Sequence, residues 1–79
     1  MKRNWHKQFA DGKHFYVKLH KKEVHIWENY NGNPHTRAGG GVSFTEFLGG
    51  KYQSIVKQNL GEEVLDNIIE NVRSMVKNI

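Results

Sequence analysis

The residues best suited to chemistry lie in the first half of the chain. Five histidines, at positions 6, 14, 20, 25 and 35, fall there together with Trp5, Tyr16, Trp27 and Tyr30. Residues 1–44 also hold eight Lys/Arg (2, 3, 7, 13, 18, 21, 22 and 37) against three acids (Asp11, Glu23 and Glu28), a local charge of +5. Residues 45–79 hold four bases and five acids and carry −1. Imidazoles ligate metals or move protons near neutral pH. Aromatic rings stack on unpaired bases, and lysines neutralise phosphates. The choice among these chemistries depends on which side chains share a face.

Alternation along residues 14–27, HFYVKLHKKEVHIW, supplies the first answer. Phe15, Val17, Leu19, Val24 and Ile26 form one set, and His14, Tyr16, Lys18, His20, His25 and Trp27 form the other. Period-two alternation of branched and aromatic residues marks half-buried antiparallel strands. Lys21-Lys22 as a two-residue loop sets Leu19 opposite Val24, Val17 opposite Ile26, Lys18 opposite His25 and Tyr16 opposite Trp27. Asp11-Gly12 is a hairpin signal of the same kind. Read as a two-residue loop after a first strand at 5–10, it pairs Lys7 with Tyr16. Trp5, Lys7 and Phe9 then join the aromatic and basic face, with a row Lys7, Tyr16, Trp27 across three strands. Trp5, Tyr16 and Trp27 among Lys7, Lys13 and Lys18 supply both stacking and charge. A duplex hides its base faces, so this surface is expected to prefer single strands and to show little base specificity.

The same register argues against catalysis. A metal site needs ligands that converge with a carboxylate. Glu28 falls on the opposite face, there is no HxH or HExxH spacing, and there is no cysteine. No metal, cofactor or catalytic residue is expected, and the chain is read as a non-enzyme. Two other readings stay open: a protein-interaction module, such as a viral inhibitor of a host protein, and a small histidine-dependent nuclease.

The rest of the chain must position this face. Residues 28–41 lose the periodicity; Asn31-Gly32 signals a turn, Pro34 excludes a central strand, and Arg37 sits in a plausible flap before Gly39–Gly41. Residues 41–44 fit a short fourth strand. Ser43 and Glu46 have capping-box spacing, which starts a helix at about Thr45. Gly49-Gly50 predicts a break and Gly61 a boundary, with a last helix over 62–78. On that helix Leu65, Ile68, Val72 and Met75 make an apolar stripe, read as the interface with a second copy. The expected fold is α+β in a single domain, 1–79: a four-stranded antiparallel meander over 1–44, then one or two helices over 45–79, homodimeric. A chain of this length buries only about 60% of its unfolded surface, so a partner subunit would help its core. No apolar run approaches the ~20 residues of a membrane span, and the N-terminus has no apolar signal-peptide core. The expected location is cytoplasmic, the host cytoplasm if the chain is viral, with no membrane partner.

Several of these pieces resemble the single-stranded-DNA-binding domain of the positive cofactor four coactivators and their bacterial and bacteriophage relatives. They are Tyr16-Val17-x-Leu19, then Val24-His25-Ile26-Trp27-Glu28-x-Tyr30, then Asn31-Gly32, and Gly41-Val42-Ser43-Phe44 entering a helix. The resemblance covers about residues 8–56. It implies a homodimer whose strands form grooves for two antiparallel single strands. The implied role is transcription regulation or handling of unwound DNA in replication and recombination. Carried over by position, the groove residues are Lys13, Tyr16, His20, Trp27 and Tyr30. Trp27 stands where the family often has arginine, and Gly39-Gly40 where it has basic residues, which shifts weight from charge to stacking. The expected interface is therefore Trp5, Lys7, Lys13, His14, Tyr16, Lys18, His20, His25, Trp27, Tyr30 and Arg37, with single-stranded DNA favoured over RNA as partner.

Overall fold

The computed structural model describes residues 2–30 and 37–77. Its elements are β1 (Asn4–Gln8), β2 (Lys13–His20), β3 (Glu23–Tyr30), β4 (Arg37–Ser43), α1 (Phe44–Leu48), α2 (Gln53–Leu60) and α3 (Glu62–Lys77). The strands form one antiparallel meander in the order β1-β2-β3-β4. The helices follow it, and their buried residues join those of the sheet in one core. The α+β architecture is the expected one; the helical half is divided into three helices.

The β2–β3 hairpin is tied by a turn of two residues that are not glycine. Lys21 and Lys22 have φ of 51° and 63°, the left-handed pair that a type I′ turn requires. This loop fixes Tyr16 opposite Trp27, Val17 opposite Ile26, Lys18 opposite His25 and Leu19 opposite Val24, the register read from the sequence.

The β1–β2 hairpin differs from the expectation. Phe9 N donates to Lys13 O at 2.7 Å and Gly12 N donates to Phe9 O at 3.0 Å, with Gly12 at φ 89°. Ala10, Asp11 and Gly12 therefore form a three-residue loop, a turn closed by a left-handed glycine, and Asp11 Oδ1 also accepts from Lys13 N at 2.9 Å. The pairs are Trp5 with Val17, His6 with Tyr16 and Lys7 with Phe15. One extra loop residue moves the register by one, and every β1 side chain changes face.

On the far side, β4 is longer than the short strand expected at 41–44. A glycine run has no side-chain alternation to read, yet its backbone pairs. Ile26 faces Gly40 and Trp27 faces Ala38, so Gly39 is the extra residue of a bulge. The turn expected at Asn31-Gly32 lies outside the described residues.

The helix signals act as expected. Ser43 caps α1: its Oγ accepts from Glu46 N at 3.0 Å, and Glu46 Oε1 accepts from Ser43 N at 3.1 Å. That backbone N–H, then the Ser43 hydroxyl and the Lys51 ammonium, hold the Glu46 carboxyl below its ordinary range. Gly50 at φ 120° and Tyr52 at φ 71° separate α1 from α2, and Gly61 at φ 93° turns the chain into α3.

The core lies between the sheet and the helices. Phe15, Val17, Leu19, Val24, Ile26 and Val42 come from the sheet; Phe44, Phe47, Val56, Leu65, Ile68 and Val72 come from the helices, and all are buried. Leu65, Ile68 and Val72, expected at a subunit interface, are thus part of the chain's own core, and Met75 packs half-buried against it. The stripe was real, but the surface that covers it belongs to the same chain. Buried Asn59 is satisfied locally, its Nδ2 donating to Ile55 O and its Oδ1 accepting from Lys13 Nζ, both at 2.8 Å.

Two stability tests follow from these placements. Left-handed backbone is costly for lysine and natural for Asn-Gly, so Lys21→Asn with Lys22→Gly should raise the unfolding free energy by about 1 kcal/mol, read by urea titration. Ile68→Ala should lower it by about 2–5 kcal/mol through the cavity it leaves. It should do so without changing the mass seen by light scattering; a mass that falls with this variant would place the stripe between subunits.

Candidate nucleic-acid interface

The sheet face away from the helices carries a connected set of rings. His6 on β1, Tyr16 on β2 and Trp27 on β3 form a row across three strands. The His6–Tyr16 and Tyr16–Trp27 ring centroids are each 6.0 Å apart, with planes inclined by 29° and 20°. His14 stacks on Tyr16 at 4.3 Å and 25°. Hydrogen bonds join the same groups: His14 Nε2 lies 3.0 Å from His6 Nδ1, and His14 Nδ1 lies 3.1 Å from the Tyr16 hydroxyl. Tyr16, His14 and Trp27 are half-buried, and His6 is exposed. The rings shield one another sideways, so the row remains open to solvent.

Toward the β2–β3 turn the face becomes polar and charged. Lys18 lies opposite His25, and His20 opposite Glu23. The His25 ring lies on the backbone of Gly41, where an added Cβ would come within 2.8 Å of its Cε1. His25 Nε2 is 3.3 Å from Glu23 Oε1, and the His20 and His25 rings are 6.5 Å apart. Gly41 therefore has a local reason to lack a side chain: it gives His25 a flat seat.

No family model, characterised protein or solved structure matches this chain.

The structure brings His14, Tyr16, Lys18, His20, His25 and Trp27 together as expected and removes three others. Trp5 is only 5% exposed, paired with Val17 on the core side, and its Nε1 donates to Asn67 Oδ1 of α3 at 3.2 Å. Lys7 moves with it and holds its Nζ 5.1 Å from the Phe9 ring. Lys13 has the strand parity of Phe15 and Val17; its Nζ lies 4.4 Å from the Phe9 ring and is bonded to Asn59. The three-residue loop accounts for Trp5 and Lys7. For Lys13 the cause is alternation along β2, which already sets it apart from His14 and Tyr16. The backbones of Tyr30 and Arg37 lie in β3 and β4, but their side chains lie outside the described residues.

His6 is the residue that the sequence reading missed. The run Asn4, His6, Gln8 is polar at alternate positions, while Trp5 and Phe9 are apolar between them. That alternation points to the observed register, and a two-residue Asp11-Gly12 loop points to the opposite one. Glu23, paired with His20 and 3.3 Å from His25, is a carboxylate of this face that the sequence reading does not include. Among the described residues, no three His, Cys, Asp or Glu side chains are placed to hold a metal ion.

Among the described residues, this face carries the rings, Lys18, the imidazoles, the Glu23 carboxylate and the amides of Asn4, Gln8 and Asn29. The two tryptophans now have opposite roles, and truncation separates them. Trp5→Ala should cost about 3–5 kcal/mol of stability in chemical denaturation. Trp27→Ala should cost only the cross-strand pair, about 0.2–1 kcal/mol. Equal losses would mean that Trp27 is also a core residue.

Proposed function

We propose that this chain binds single-stranded nucleic acid, DNA in preference to RNA, without base specificity, along the open face of its sheet. The observation that carries the reading is the row His6, Tyr16 and Trp27, with ring centroids 6.0 Å apart at each step. Bases stack on such rings whatever their identity, because every base has a π-face. Lys18, in the middle of β2 beside the row, provides a phosphate contact. The motif resemblance to the positive cofactor four family supports the same ligand. It also suggests the setting, transcription regulation or the handling of unwound DNA in replication and recombination, and the pairing of two copies. With Leu65, Ile68 and Val72 in the chain's own core, such pairing would use another surface than the one α3 turns to the sheet. The reading describes a binding protein and requires no catalytic step.

A titration of labelled, unstructured oligonucleotide and its duplex at two salt concentrations tests this directly. Single strands should bind more tightly; equal or tighter binding of duplex would reject the proposal. Within the face, Trp27→Ala should lose about 1–3 kcal/mol of affinity while leaving the slope of log affinity against log salt unchanged. Lys18→Ala should reduce that slope by up to about one unit and matter less at high salt.

A further inference from the structure

We infer that His6 and His14 form a proton-linked phosphate clamp within this face. The inference rests on the reading of the face as a nucleic-acid surface, and it assigns the groups that meet the phosphate and the condition under which they do so. With Lys7 and Lys13 on the other side, Lys18 is the one Lys or Arg side chain among the described residues of the face. Among the described residues, the other basic groups of the face are the imidazoles of His6, His14, His20 and His25, and of these His6 and His14 are in direct hydrogen-bond contact.

The contact obeys a proton count. His6 Nδ1 and His14 Nε2 are 3.0 Å apart, a distance at which one proton must lie between them. The other nitrogen of His14 faces the Tyr16 hydroxyl at 3.1 Å. When both rings are neutral, two arrangements satisfy the chain. In one, Tyr16 donates to His14, which donates to His6; in the other, His6 donates to His14, which donates to Tyr16. One added proton is tolerated: a cationic His14 donates both to the Tyr16 oxygen and to His6 Nδ1. A second added proton is not. Both facing nitrogens then carry hydrogen, the bond is lost, and two like charges stand side by side.

If the two rings turn apart from their 3.0 Å contact, an anionic oxygen can enter between them and reverse this. It accepts from both imidazolium groups in charge-assisted hydrogen bonds. A phosphodiester therefore substitutes for the shared proton and stabilises the doubly protonated pair. The surroundings leave that role to the ligand. Gln8 and Asn29 stand opposite His14, Tyr16 opposite His6, and Trp27 opposite Tyr16; Asn4 and Lys18 are the next positions on β1 and β2. Glu23, the acid of this face, is engaged with His25, and the Asp11 carboxylate accepts from the Lys13 backbone. Among the described residues no carboxylate competes for the pair. Binding of phosphate then draws protons onto the pair, and by reciprocity protons strengthen binding of phosphate.

The test is a fluorescence-anisotropy titration of a labelled oligothymidylate at fixed salt from pH 8 to pH 6. The parent, His6→Gln/His14→Gln and His20→Gln/His25→Gln proteins are compared, each checked for folding by circular dichroism. Affinity of the parent should rise by up to about tenfold per pH unit for each proton taken up. The response should flatten in His6→Gln/His14→Gln and persist in His20→Gln/His25→Gln; the reverse pattern overturns the clamp. If the parent binds no oligonucleotide at any pH, the reading of the face fails, and inorganic phosphate then decides the clamp alone. Imidazole nitrogen NMR of the parent at constant pH should show His6 Nδ1 and His14 Nε2 both becoming protonated as phosphate is added. Unchanged nitrogen shifts would overturn the clamp.

Discussion

The sheet is covered on one side, and that constraint decides the chemistry of the other. Each strand sends alternate side chains to opposite faces, so choosing which residues enter the core also chooses which residues meet solvent. The interaction that settles β1 is the burial of Trp5, with its indole N–H on Asn67 of α3 and its strand partner Val17. A slip of one residue would expose this ring and push His6 into the apolar layer. Burying an imidazole without a partner costs free energy, as does exposing a tryptophan. Both terms oppose the slip. The position of His6 beside Tyr16 is thus a consequence of core packing one residue away.

The same event redistributes charge. Lys7 leaves the open face with Trp5, and Lys13 is already on the core side, at the rim formed by Phe9 and Asn59. A face populated by lysines would respond to salt and little to pH. Among the described residues the observed face instead carries Lys18, the Glu23 carboxylate and four histidines. Neutral imidazoles also stack as aromatic rings, as His14 does on Tyr16. His6 and His14 therefore extend the row of rings that Tyr16 and Trp27 begin.

Much of this was legible, because some segments obey one local rule without competition. β2 and β3 alternate strictly, and a two-residue loop leaves a single register. Ser43 and Glu46 specify the cap, and Gly49-Gly50 and Gly61 specify the interruptions. Three features were not legible for physical reasons. Asp-Gly serves both two-residue and three-residue loops, and the two differ by the one residue that inverts β1. The glycines of β4 have no side-chain pattern, so a strand held by backbone pairing resembled a loop. The stripe on α3 is the same whether its own sheet or a second copy covers it, and only the assembled core distinguishes them. The observed pairing of β2 and β3 is the one their alternation predicts, and β1, whose register depended on the loop, differs from the expectation by one residue.

The open row also differs from a surface that merely contains aromatics. Exposed tyrosines and tryptophans are ordinary in small proteins, and their rings usually sample several rotamers. Here Tyr16 and His25 are held by their neighbours. Tyr16 is bounded by His14 at 4.3 Å on one side and Trp27 at 6.0 Å on the other, with its hydroxyl bonded. His25 is seated on Gly41 and held by Glu23. Ordering a free side chain on binding costs about 0.5–1.5 kcal/mol, comparable with the stacking of one base at about 1–3 kcal/mol. Under the proposed reading, rings already held by their neighbours would keep more of that stacking as affinity. Contacts along the row therefore restrain His14 and Tyr16 while leaving them only half-buried.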